Sequence, residues 1–202
     1  MIRLDGRLSA AASLVRPGRR ICDVGTDHAL LPCFLWQNGE RDIIACDINE
    51  KPLAAARENI EKFGCFGIRT VLSDGLDAVP PRDDIVIAGM GGELIADIVL
   101  RCGFVTEDTR FILQPMTKAE ILRGRLYENG FEIMLEKGVC DAGKAYTVLL
   151  VRYTGEKREI SEEFAFFGKC EDKGYTESVN KRLRKLAMGD PRFLTLIRET
   201  KD

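Results

Sequence analysis

Arg20-Ile21-Cys22-Asp23-Val24-Gly25-Thr26-Asp27-His28-Ala29-Leu30-Leu31-Pro32 is an apolar strand that runs into a turn carrying two carboxylates. Such a turn holds a nucleotide-like ligand in open α/β sheets. Where a dinucleotide loop places its further glycines, this chain has Asp27 and Ala29. An aspartate there points a negative side chain at a pyrophosphate, which argues against NAD or ATP. What survives is Asp23-x-Gly25, followed by Asp47 at the end of the next apolar run. The pattern suits a small cofactor with a ribose but no pyrophosphate. S-adenosylmethionine, with its sulfonium and ammonium groups, is the candidate that tolerates nearby carboxylates.

The rest of the chain alternates strand and helix signals. Leu4, Leu8, Ala11, Ala12 and Val15 fall at helical spacing before Pro17-Gly18. A strand over 21–24 leads to a helix with Pro32 in its first turn and Gly39 past its end. A second strand over 43–46 precedes a helix capped by Asn49 and stopped by Gly64. Strands over 69–72, 85–88 and 111–113 follow, with helices after the last two. The segments 131–135 and 146–153 read as an antiparallel hairpin. The expected architecture is a Rossmann-like, doubly wound seven-stranded α/β sheet with one antiparallel strand. The boundaries are a main domain over 1–155 and a short helical extension over 156–202.

Composition excludes several classes. The chain has 202 residues, 45% hydrophobic and 31% charged, with a net charge of −2. One good core is within reach, and any binding to nucleic acid has to come from local patches rather than overall charge. Seven cysteines include no Cys-x-x-Cys pair and accompany a single histidine, so no metal site is expected. Reduced thiols and the lack of a signal-like N-terminus point to the cytoplasm. No apolar run approaches membrane-spanning length.

Ligands of doubly wound sheets bind at the carboxyl ends of the strands, and the polar residues gather there. Asp47 is placed to accept both ribose hydroxyls. Asp74 suits the adenine amine, with Gly75 and Leu76 against the ring, although an Asp-Gly turn explains the same residues. His28 either caps the following helix or takes part in catalysis. Gly91-Gly92 either admits substrate close to the backbone or simply starts a helix. Cys33, in the one Pro-Cys pair, reads as core filler rather than a nucleophile.

The run Asp23-Val-Gly-Thr-Asp-His-Ala-Leu-Leu-Pro32, with Asp47-Ile-Asn49, Asp74-Gly75-Leu76, Ile87-Ala-Gly-Met-Gly-Gly92 and Leu113-Gln-Pro115, resembles the bacterial tRNA adenine-22 N1-methyltransferases. The resemblance covers about residues 1–155. It implies a class I methyltransferase domain, S-adenosylmethionine as donor, tRNA as partner and a C-terminal coiled-coil region assisting tRNA binding. It implies that Asp23, Gly25, Thr26, Asp27, His28, Asp47, Ile48, Asn49, Asp74, Gly75, Leu76, Gly89 and Met90 surround the donor, with Asp27 at the methyl-transfer site. On the substrate side stand Arg7, Gly91, Gly92, Gln114 and Pro115, and the basic C-terminal residues Lys181, Arg182, Arg184 and Lys185. Those four lie beside Val179, Leu183 and Leu186 on a helix expected over 178–188, where a solvated face is the competing explanation. The tail is shorter than in most such enzymes. A different methyl acceptor, or a cofactor- or RNA-binding module without turnover, are the alternative readings.

Overall fold

The computed structural model describes residues 2–141 and 143–199. Strands β1 (Ile21–Val24), β2 (Ile43–Asp47), β3 (Arg69–Leu72), β4 (Asp84–Gly91), β5 (Arg110–Thr117), β6 (Phe131–Asp141) and β7 (Lys144–Tyr153) form one sheet in the order β3-β2-β1-β4-β5-β7-β6. The first five pair in parallel, and β7 runs antiparallel to both neighbours. The expected single reversed strand is therefore β7, inserted between β5 and β6.

Period-two alternation explains why the sheet is covered on both faces. Cys22, Val24, Ile44, Cys46, Ile85, Ile87, Phe111 and Leu113 point into one apolar layer. Ile21, Ile43, Ala45, Val86 and Ile112 point into the other. Helices α4 (Gly92–Leu100) and α5 (Ala119–Glu128) bury Ile95, Val99, Leu122 and Leu126 in the first layer. Helices α1 (Gly6–Ala12), α2 (Leu30–Gln37) and α3 (Glu50–Lys62) bury Ala11, Leu31, Cys33, Ala56 and Ile60 in the second. Cys22, Cys33, Cys46, Cys65 and Cys170 are buried free thiols, and burial pushes Cys33 up to about 12. A thiol held protonated in this way is packing, not a nucleophile.

Several element boundaries differ from the sequence expectation, those of α1, β4 and β5 for tertiary reasons. Helix α1 starts on the Asp5 carboxylate, which accepts from the Leu8 amide at 2.8 Å, but stops at Ala12 rather than Val15. The next residues are diverted because the Arg16 amide and guanidinium both bind the buried Asp84 carboxylate. Strands β4 and β5 run three and four residues further than expected. Gly89-Met90-Gly91 and Gln114-Pro115 thus lie within the strands, paired through irregularities at Ala88/Met90 and Met90/Gly91. A bulge of this kind re-aims side chains at a strand end. The basic helix, α7, is longer than expected (Lys173–Leu186) and starts on the Asp172 side chain.

The C-terminal extension is docked onto the domain. Helix α6 (Glu162–Phe167), α7 and a final 3-10 turn (Pro191–Leu196) share a small core of Phe166, Phe167, Cys170, Tyr175, Val179 and Leu183. Phe166 and Phe167 build this seam, and Phe164 stands edge-on to Tyr127 of α5. Underneath lies an ion pair between Arg123 of α5 and Glu136 of β6, neither side chain reached by solvent. Arg123 also donates to the carbonyls of Ala165 (2.6 Å) and Phe166 (3.0 Å) and to the Tyr175 hydroxyl (2.7 Å). Glu136 accepts from the Thr147 hydroxyl (2.6 Å) and the Lys169 amide (3.0 Å). Burial alone would depress the Arg123 pKa, but Tyr175 and Glu136 hold it above its ordinary value.

Removing one member of such a pair leaves a buried charge uncompensated, at a cost of about 3–5 kcal/mol. Arg123→Met is therefore expected to lower the urea-unfolding free energy by about that amount and to expose the extension to limited proteolysis. The double variant Arg123→Met/Glu136→Met should recover much of the loss. Equal losses for the single and double variants would show that the pair is not what fastens the extension.

Candidate functional site

A cleft of about 480 Å³ opens at the carboxyl ends of β1, β2 and β4, lined by Asp5, Arg7, Leu8, Asp23, Gly25, Asp27, Leu30, Leu31, Asp47, Ala88, Gly89, Met90 and Met116. The strand order reverses between β2-β1 and β4, so the cleft occupies the switch point of the sheet. The turn after β1 is drawn toward β2 because the amides of Gly25 and Thr26 both donate to the Cys46 carbonyl, at 2.8 and 2.9 Å. Likewise the Ser73 amide donates to the Asp47 carbonyl at 2.9 Å, bringing the turn after β3 alongside.

Gly25 has φ +73°, and a Cβ added there would come within 2.0 Å of Met90 Cε. The glycine is required both by its left-handed backbone and by the approach of β4. His28 and Ala29 are also left-handed, with φ of 58° and 50°. Two consecutive non-glycine residues in this region are costly and persist only where the surroundings impose them. The side chain of Asn59, on α3, supplies one restraint by donating to the His28 carbonyl at 2.9 Å. Asn59 was not anticipated from the sequence, where it reads only as a polar residue near the end of a helix.

Asp23 is buried, and desolvation raises its pKa to about 6, with the charge of Asp47 pushing the same way. Thr26 Oγ1 is itself buried and has no hydrogen-bond partner among the described residues. A buried acid beside an unsatisfied hydroxyl is a cradle for a cationic, hydrogen-bonding ligand group. One oxygen of Asp47 accepts the Asn49 amide at 2.8 Å. Asp27 is well exposed, yet it lines the cleft, with His28 Nε2 at 3.3 Å from its Oδ1.

Of the anticipated residues, Arg7, Asp23, Gly25, Asp27, Asp47, Gly89 and Met90 converge on the cleft. Thr26, His28, Ile48 and Asn49 adjoin it in sequence, and Ile48 is exposed. Asp74, Gly75 and Leu76 do not line it; Asp74 pairs with Arg101 at 2.9 Å and Leu76 is core. His28 does not cap α2 with its side chain: the cap is Ala29, without a side-chain hydrogen bond. Gln114 is fully buried and braces the strand ends, accepting the Gly89 amide at 3.1 Å and donating to the Pro115 carbonyl at 3.1 Å. Gly91 and Gly92 join β4 to α4, and a Cβ on Gly92 would lie 2.3 Å from the Lys118 carbonyl oxygen. Backbone packing thus explains Gly92. Arg182 is held by Glu120 through two bonds of 2.7 and 2.5 Å, whereas Lys181, Arg184 and Lys185 are exposed on α7. Asp5 and Met116 line the cleft without having been anticipated; each comes from an element distant in sequence. Among the described residues there is no cluster of three or more His, Cys, Asp or Glu suited to a metal, and no helix long and apolar enough to cross a membrane.

A family model described as a methyltransferase domain matches residues 4–149. Sp1610 of Streptococcus pneumoniae, whose proposed activity is tRNA (m1A22) methylation and which was solved with S-adenosyl-L-methionine, superposes with a TM-score of 0.82 at 32% identity, covering 96% of this chain and 95% of that one. The chain belongs to this methyltransferase family. The tRNA (adenine(22)-N(1))-methyltransferase of Bacillus subtilis is 36% identical over 155 residues, spanning 74% of this methyltransferase and 65% of the B. subtilis protein. TrmK of M. capricolum, solved with S-adenosyl-homocysteine, superposes with a TM-score of 0.78 at 28% identity, covering 96% of this methyltransferase and 92% of that chain. The structural likeness reaches beyond residue 155 and includes part of the helical extension.

Two outcomes follow for the methyltransferase in its free form. Asp23 has a folded pKa near 6 against an ordinary 3.8, so between those values the native state binds more protons than the unfolded chain. Its contribution to stability is complete below pH 4 and is lost as pH rises through 6. Asp23→Asn should therefore be more stable than the parent by an amount growing from near zero at pH 4 to about 3 kcal/mol above pH 6. A difference independent of pH in urea titrations would contradict this. Gly25→Ala should cost about 1–3 kcal/mol in the same measurement.

Proposed function

We propose that this methyltransferase transfers the methyl group of S-adenosylmethionine to N1 of adenine 22 in tRNA. The observation that carries the reading is the buried acid Asp23, its pKa raised to about 6, beside the unsatisfied Thr26 hydroxyl in a cleft that also contains Asp47. This donor set suits an amino-acid ammonium and a ribose. It does not suit a pyrophosphate, which argues against a nicotinamide-dependent oxidoreductase. The M. capricolum relative's complex with S-adenosyl-homocysteine supports the same ligand class.

When bound, the donor supplies an electrophilic methyl group on a sulfonium. Asp23 and Thr26 would hold the ammonium end and Asp47 the ribose hydroxyls, with the exposed Ile48 and Asn49 next to Asp47 on the nucleoside side. Asp74, beyond the cleft proper and beside Gly75, would offer to the adenine amine the oxygen that Arg101 does not take. Gly25, Gly89 and Met90 form a wall of the cleft against which the donor would rest. Adenine N1 carries its own lone pair, so the protein needs no covalent nucleophile; it has to receive an unstacked base and align it. Charge then develops on the purine and spreads toward its amine, where the Asp27 carboxylate stabilises it. His28 holds Asp27 from the side. Arg7 stands at the substrate side of the cleft. Gly91, Gln114 and Pro115 shape that side through the backbone. Lys181, Arg184 and Lys185 on α7 meet tRNA phosphates, while Arg182 fastens α7 to α5. The setting is the bacterial cytoplasm, where tRNA is found.

Labelled S-adenosylmethionine with unmodified tRNA transcripts tests the proposal: transfer is expected, and is expected to vanish when adenine 22 is replaced by guanine. Transfer that ignores this replacement would favour another acceptor, and donor binding without transfer a non-catalytic module. Within this assay Asp47→Ala should raise the donor Kd by at least about tenfold, through loss of its charge-assisted hydrogen bonds. Asp27→Ala should lower kcat about 10²-fold with donor Kd little changed. Near-normal kcat in Asp27→Ala would remove that residue from the mechanism.

A further inference from the structure

The donor cleft does not end at Met116. The same side chain lines two further grooves, of about 160 and 700 Å³, that run between the β5 end, β7 and α7. Tyr146 of β7 lines both grooves, and the Arg7 guanidinium stacks on its ring at 5.2 Å from the centroid. Arg7 in turn donates to Met116 Sδ at 2.9 Å, pairs with Asp5 at 2.6 Å and approaches Asp141 at 3.5 Å. Arg7 and Met116 both line the donor cleft. The partition between cleft and grooves is therefore an Arg7–Tyr146–Met116 stack, fixed by carboxylates from α1's cap and the end of β6.

The larger groove has the chemistry of a nucleotide strand site. It places Lys144 and Lys181 with Ser178 around Tyr146, with Glu177 as its carboxylate. Neither lysine forms an ion pair among the described residues, in a protein where most surface arginines are paired. Unpaired ammonium groups beside an aromatic ring are the usual equipment for holding single-stranded nucleic acid: cations follow the phosphates and the ring stacks a base. A base entering the donor cleft leaves its neighbour in the strand without a stacking partner, and a platform beside the entrance replaces what that neighbour lost.

Resting on the methyl-transfer reading above, we infer that Tyr146 is a substrate-positioning residue on which the base next to the target purine stacks, in the groove beside the donor cleft. Lys144 and Lys181 hold the flanking phosphates. Arg7 fixes the plane of the ring from behind, so the platform is rigid before RNA arrives. Base–aromatic stacking of this kind is worth about ten- to a hundredfold in binding.

The test compares Tyr146→Leu, Tyr146→Phe and Tyr146→Trp in the full chain, each checked for donor binding by calorimetry. Methyl transfer is followed on tRNA transcripts at subsaturating and saturating RNA. A second readout is the fluorescence of 2-aminopurine placed next to the target position. Tyr146→Leu is expected to lower kcat/KM for tRNA at least about tenfold, with donor Kd unchanged and loss of the aminopurine quenching. The Phe and Trp variants should stay near the parent in both readouts, and Lys144→Gln/Lys181→Gln should reduce the salt dependence of tRNA binding by about two in log–log slope. A Tyr146→Leu enzyme as effective as the parent overturns the inference, as does a Phe variant as impaired as Leu. A parent chain that binds the donor but methylates no tRNA overturns the functional reading itself, an outcome separable from the other two.

Discussion

The guanidinium of Arg123 is sealed from water, and through it the helical extension is joined to the sheet. Five donors meet a carboxylate, two backbone carbonyls and a phenol, so nearly every polar atom is answered, which is the condition for burying a charge at all. The arrangement also explains Gly168. A Cβ there would sit 2.0 Å from Glu136 Oε2 and 2.5 Å from Arg123 Nε, so the chain turns from α6 over the ion pair with no side chain in between. Because Glu136 lies on β6 and Thr147 on β7, the same network ties the antiparallel hairpin to α7. The groove beneath α7 has its width set by this buried pair, and the position of Tyr146 relative to Lys181 follows from it.

The layered sheet was readable because its pattern is local. Alternation in 21–24, 43–46 and 85–88 assigns each residue to a face, and the structure places Ile21 and Cys22, Ile43 and Ile44, in opposite apolar layers. What escaped the sequence depends on partners far away along the chain. Nothing near Val15 says that α1 must stop at Ala12; the reason is Asp84, 68 residues from Arg16. Nothing in Ala88-Gly-Met-Gly-Gly92 says that the strand continues, because its glycines weaken a strand assignment, whereas pairing with β5 supports it.

The site was legible to a similar degree. Asp23, Gly25, Asp27 and Asp47 follow from strand ends and the switch-point rule, and all four line one cleft. Gln114 was expected to face substrate because it follows a strand. It is instead a buried brace, since an amide beside a broken ladder satisfies the Gly89 amide that the bulge leaves unpaired. Arg182 was grouped with its basic neighbours by composition alone, and only the packing of α7 on α5 shows that Glu120 claims it. Asn59 and Met116 illustrate the same limit, as each acquires its role from a neighbour that spacing does not reveal.

The irregular pairing at Ala88/Met90 and Met90/Gly91 bears on how this part of the chain can diverge. Side chains on a strand alternate strictly, so the insertion or deletion of one residue would turn each later side chain to the opposite face. Met90 would then leave Gly25, and Gly92 would leave the Lys118 carbonyl it rests against. Residues 88–92 are therefore held in number as well as at their glycines, since Gly89 is left-handed and Gly92 has no room for a Cβ, and relatives should keep this stretch at constant length while their surface loops grow and shrink.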